Sequence, residues 1–188
     1  KAAAIPQVAV VMMDGVRFAS PASGLDAFFT CFCARCRAAA GRMGFDIARI
    51  RRDVSRLYER LKTGRLPIEQ ALPSSPASLI GHLAHSPGVI EWLSFRARVV
   101  EKFVAHVARI VHAAGKRLGG FVFSPSLAPL VGQDYLALSQ HFDVFSPMLY
   151  RNCRERNSIA PVNTEIESLL SWTTTPGLAA LHWVRDFF

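Results

Sequence analysis

The apolar positions of this chain change their period several times along its length, and each change marks an element. Val8 to Met13 is an unbroken apolar run rich in valine, the composition of a strand buried on both faces of a parallel sheet. The run stops at Asp14-Gly15. After Asp46, a residue type suited to a helix N-cap, Ile47, Ile50, Val54, Leu57 and Leu61 recur every three or four residues and predict an amphipathic helix. Gly64 to Pro87 carries Pro67, Pro73, Pro76 and Pro87 among several serines and reads as an irregular excursion over about residues 64–88. Ile90, Leu93, Ala97, Val100, Val104, Val107 and Val111 restore the helical spacing over a long helix that Gly115 closes. Gly119 to Phe123 predicts a second strand, Tyr135 to Gln140 a short helix, and Val144 to Leu149 a third strand. A further helix is expected over Asn163 to Trp172, while Leu178 to Val184 suits either a strand or a helix.

Strands of buried composition alternating with helices imply an α/β fold with parallel strands, and 188 residues suit one domain with a sizeable core. No apolar run approaches the ~20 residues of a membrane helix, so no membrane partner is expected. The opening KAAAIPQVAVVMMDG lacks the order of a leader and suggests a chain cut from something longer, which leaves localisation and oligomeric state open. Polar residues gather after each strand: Asp14 and Arg17, then Ser124 and Ser126, then Tyr150 and Arg151. In parallel α/β sheets and barrels that carboxyl end is where chemistry is placed, although any strand must become polar as it surfaces.

The formal net charge of +8 raises nucleic acid as a partner. The arginines concentrate between Arg35 and Arg65, interrupted by Asp46, Asp53 and Glu59, and no aromatic residues interleave as a base-stacking surface requires. This stretch reads as a solvated helix face, with a phosphate or partner surface as the other reading, and no nucleic-acid partner is expected. Neither a glycine-rich phosphate loop, nor a G-x-S-x-G elbow, nor an H-E-x-x-H pair occurs.

The stretch VVMMDGVRF resembles the strand-ending pattern of glycoside-hydrolase-like TIM barrels, and FDVFSPMLYR is similar to a later strand of the same barrels. The resemblance implies a (β/α)8 TIM barrel acting on an oligo- or polysaccharide. Because such a barrel takes ~250 residues, this chain would supply it only in part. It also implies a sugar cleft containing Asp14, Arg17 and Tyr150; Arg151, where the family has a small or turn residue, is a further substrate-binding candidate. Two carboxyl groups normally flank the scissile bond. Asp14 is the first candidate, and Asp134 in the loop GQDY is named as the second, although it could equally cap the helix that follows. Glu155 is a further candidate, whereas Glu165 and Glu167 read as exposed first-turn helix residues. The alternative function is a non-catalytic carbohydrate-binding protein that has lost one acid. No cofactor is required for the hydrolysis.

The stretch CFCARC, with Cys31, Cys33 and Cys36, resembles the Cys-x-Cys-x-x-Cys segment of certain barrel β-galactosidases, where four cysteines hold a structural zinc. That implies a structural zinc here, with Cys153, His82, His85, a carboxylate or a residue outside this chain as the fourth ligand. A reduced, partly buried thiol cluster capping the next helix is the other reading. A redox role lacks the βαβ context it needs.

Overall fold

A computed structural model of the protein describes residues 2–30, 32–63, 85–150 and 162–172. Its strands are β1 (Val10–Met13), β2 (Arg117–Phe123) and β3 (Val144–Met148). The helices are α1 (Leu25–Phe28), α2 (Ala34–Arg42), α3 (Ile47–Lys62), α4 (Pro87–Ala113), α5 (Tyr135–Leu138) and α6 (Val162–Ser171). The chain divides into two compact units, one of Lys1–Phe18 with Leu93–Leu149, the other of Ala19–Trp92 with Tyr150–Phe188.

The first unit is built on the sheet. Its strands run parallel in the order β1-β2-β3, with Met12 beside Gly119 and Phe121 beside Ser146. Alternate residues of a strand share a face, so Leu118 and Val122 of β2 point together at one side, where they pack with Val100, Val104, Ala108 and Val111 of α4. Leu138 and Phe142 complete that core. The four α4 residues lie at spacings of three and four, the stripe that the apolar periodicity marks. Gly115 then adopts φ 68° and donates to the His112 carbonyl at 2.8 Å, a left-handed reversal that glycine reaches without steric cost and that feeds the chain into β2. At the amino edge, Asp143 Oδ2 lies 2.8 Å from the Leu118 amide that donates to it and 2.9 Å from His112 Nε2. This carboxylate ties the start of β3 to β2.

In the second unit, Asp46 caps α3 by accepting from the Arg49 amide at 3.0 Å. Ile50 and Val54 face inward from α3, and with them Asp53, whose Oδ2 accepts from the Gly88 amide at 2.9 Å. Aromatic rings fill the rest. Phe28 meets Trp92 edge-on at 5.4 Å, Phe29 stacks on Trp92 at 5.5 Å, and the indole donates to the Thr30 carbonyl at 3.2 Å. Glu165 of α6 is buried and accepts from the Ala22 amide at 2.7 Å, so it is not the exposed first-turn residue its position suggests.

The (β/α)8 TIM barrel is not the observed fold. The described residues hold a small three-stranded parallel sheet, and β1 is followed by α1 to α4 before β2 instead of by one crossover helix. The signals that suggest a barrel, apolar strands and polar strand ends, belong to every parallel α/β sheet. They carry no information on whether the sheet closes. The expected excursion from Gly64 falls mostly outside the described residues, as does Leu178 to Val184.

Candidate functional site

The carboxyl ends of the strands leave the sheet on one edge, because all three strands are parallel. In the first unit this edge carries Asp14 and Arg17 after β1, Ser124 and Ser126 after β2, and Asp134 ahead of α5. Asp14 is exposed, and one of its carboxylate oxygens accepts from the Gly15 amide at 2.7 Å. Gly15 sits at φ 68°, the left-handed conformation that lets the chain turn tightly enough to make that bond. The second oxygen of Asp14 is left for solvent or a ligand.

Arg17 does not pair with Asp14. Its guanidinium lies over the Phe123 ring at 4.8 Å, a cation–π contact that draws the side chain along the sheet, and its buried Nε has no hydrogen-bond partner among the described residues. Asp134 caps α5, with Oδ1 accepting from the amides of Leu136 at 2.9 Å and Ala137 at 3.2 Å. One oxygen therefore serves the helix, and the other has no partner among the described residues. Ser124 is buried with its hydroxyl 3.4 Å from that of exposed Ser126.

Two residues that the sequence reading passed over hold this edge together. Gln133 is 2% exposed; its Oε1 accepts from the Phe123 amide at 2.8 Å and its Nε2 donates to the Val16 carbonyl at 3.1 Å. One amide thus joins the loop of Asp14, the end of β2 and the segment of Asp134. Tyr135 donates its hydroxyl to the Phe123 carbonyl at 2.7 Å, and burial pushes the phenol pKa up, keeping the proton on the donor. A third residue, Arg96 of α4, is fully buried with its guanidinium 4.6 Å from the centre of the Phe18 ring, and burial pushes its pKa down to about 10. Arg96 falls between Leu93 and Val100 on the apolar stripe. A cation at such a position is a readable signal, since charged side chains are almost never fully buried unless paired.

Tyr150 is 45% exposed and belongs to the second unit, where its carbonyl accepts from the Val162 amide at 3.1 Å. Arg151 and Glu155 lie outside the described residues, as do Cys31, Cys153 and His82. Cys33 is exposed at the residue preceding α2, with extended backbone and no side-chain capping bond, and Cys36 is half-buried within the helix. Among the described residues no group of three or more histidine, cysteine or acidic side chains is placed to hold a metal ion. Among the described residues, Cys33 and Cys36 supply two of the four donors that a structural zinc site uses.

Glu167, half-buried on α6, belongs with Glu165 to the second unit. No helix among the described residues is long and apolar enough to cross a membrane. Comparison with family models, with curated proteins and with solved structures finds no match.

Proposed function

We propose that the protein acts on carbohydrate at the carboxyl edge of its sheet, as a glycoside-hydrolase-like protein in which Asp14 supplies the exposed carboxylate. The observation that carries this reading is the wiring of the edge by Gln133, which holds the Asp14 loop and the Asp134 segment against the end of β2. Sugars are recognised by rigid donors and acceptors, and a buried amide bridge supplies that rigidity. Arg17, packed on Phe123, offers a guanidinium donor to a sugar hydroxyl. Ser126 adds an exposed hydroxyl.

Hydrolysis requires a second carboxyl group, and Asp134 is the candidate on this edge. Its capping duty favours a second reading, in which the edge binds sugar without cleaving it. Asp134→Asn separates the two, because asparagine caps a helix about as well as aspartate but has no ionisable proton. The experiment is a screen of oligo- and polysaccharides for reducing-end release and for binding by calorimetry. Under the hydrolytic reading Asp14→Asn and Asp134→Asn each lower release at least ~100-fold with the fold intact. Binding without release, weakened by Asp14→Asn and unaffected by Asp134→Asn, selects the binding reading. Unchanged release or binding in Asp14→Asn overturns both.

A further inference from the structure

The second unit holds a groove that the sheet-edge reading does not use. Between Cys33 and Lys62 the chain carries nine lysine or arginine side chains against three carboxylates, a net +6 of the chain's +8. Charge density of this kind on a helix normally means a solvated face, with the cations spread around it. Here three of them converge. Arg37 of α2 and Arg51 and Arg52 of α3 line one open groove of about 490 Å³ together with Ile47, Ala48 and Ser55. None of the described residues that line it is acidic.

Of the carboxylates near the groove, Asp46 and Glu91 engage Arg49, and Asp53 engages the groove arginine Arg52. Asp46 spends an oxygen on the Arg49 amide, and the backbone hydrogen bond from Arg49 holds its pKa below the usual carboxylate range. Asp53 is 5% exposed and spends Oδ2 on the Gly88 amide, while its Oδ1 takes the Arg52 Nε at 3.2 Å. Glu91 pairs with Arg49, whose Nε reaches it at 3.1 Å. Two of the groove arginines are also oriented: Arg52 by Asp53, and Arg37 by donating Nη1 to the Phe32 carbonyl at 3.3 Å. Each keeps its remaining guanidinium donors.

We infer that the groove between α2 and α3 is an anion site that takes the phosphoryl group of a ligand, built from none of the residues of the sheet edge. Three guanidiniums exceed what one carboxylate can balance. A phosphate monoester carries a charge of about −1.5 to −2 and three acceptor oxygens, which matches three forks and the Ser55 hydroxyl. Arginine suits this task better than lysine because its planar fork binds two oxygens at once. Ile47 and Ala48 give the group carrying the phosphate an apolar wall. A small phosphorylated molecule and the backbone of a nucleic acid both present such a group, and the test separates these sources.

The test is calorimetric titration of the full chain at low salt with pyrophosphate, and in parallel with a short DNA duplex of arbitrary sequence. The variants are Arg51→Gln, Arg51→Lys and the double Arg37→Gln/Arg51→Gln, with Arg98→Gln on α4 as the control. Arg37, Arg51 and Arg98 are all on the surface, so the variants are expected to keep the wild-type circular dichroism. Pyrophosphate binding should weaken about tenfold or more in the double variant, by less in Arg51→Lys, and not in Arg98→Gln. Acetate should bind at least about tenfold more weakly than pyrophosphate. If the duplex also binds, and the double variant flattens its log–log salt dependence by about two contacts, the phosphate is that of a polymer; if only pyrophosphate responds, it is that of a small ligand. Failure of pyrophosphate to bind, or binding that the double variant leaves unchanged, overturns the inference.

Discussion

Replacing Gln133 by methionine is the most direct probe of how the sheet edge is held. The side chain is 2% exposed and makes two hydrogen bonds, to the Phe123 amide at 2.8 Å and to the Val16 carbonyl at 3.1 Å. Methionine keeps nearly the same volume, so the cavity term is small and the polar loss dominates. A buried donor or acceptor left without a partner costs about 1–3 kcal/mol, and two are left here. Val16 is half-buried, so water recovers part of the carbonyl's share, and a loss of about 2–4 kcal/mol is expected. Urea unfolding followed by circular dichroism should show a midpoint lowered by about 1–2 M with an unchanged slope. Gln133→Glu adds a sign. Glutamate still accepts from Phe123, but it donates to Val16 only when protonated. Burial raises its folded pKa above the unfolded value, so its stabilising contribution is complete below the unfolded pKa and is lost as pH rises through the folded one. This variant should therefore approach wild-type stability in acid and fall away toward neutral pH. A methionine variant within about 0.5 kcal/mol of wild type would refute the bridging role assigned to Gln133.

Two further outcomes test the surrounding structure. Gly88→Ala should destabilise the start of α4 markedly, since the added carbon would lie 2.6 Å from the Arg49 carbonyl oxygen and 2.8 Å from Asp53 Oδ2; a melting temperature equal to wild type would show that the Asp53–Gly88 contact is not as close as described. The Asp143 carboxyl is held below its usual pKa, first by the Leu118 amide and then by His112. Its contribution is present above the unfolded pKa of about 3.9 and lost as pH falls from there through the depressed folded value, so Asp143→Asn should reduce the slope of stability against pH in that acid range, measured by thermal melts.

How far the site was legible depends on which signal each residue leaves in the chain. Asp14 was legible because an apolar run that ends in Asp-Gly has to surface and turn there, and the structure has it exposed with Gly15 at φ 68°. Asp134 was legible as a cap for the same local reason. Gln133 was not, because its partners Val16 and Phe123 are remote in sequence and no local pattern links them. The place of Glu165 in the first turn of a helix predicts exposure, a rule blind to the remote Ala22 amide that donates to its carboxylate.

The elements themselves follow from the order of residues alone. β1, β2, β3, α3 and α4 all fall where apolar periodicity and capping residues put them, within a few residues, because those signals are local. Sheet closure does not follow from them. An apolar strand has the same composition in a closed barrel and in an open sheet, and only the long-range pairing of strands decides between them. The same holds for charge: the sequence determines that arginines crowd into α2 and α3, but only their packing decides that Arg37, Arg51 and Arg52 meet across one groove while Arg49 turns to Glu91.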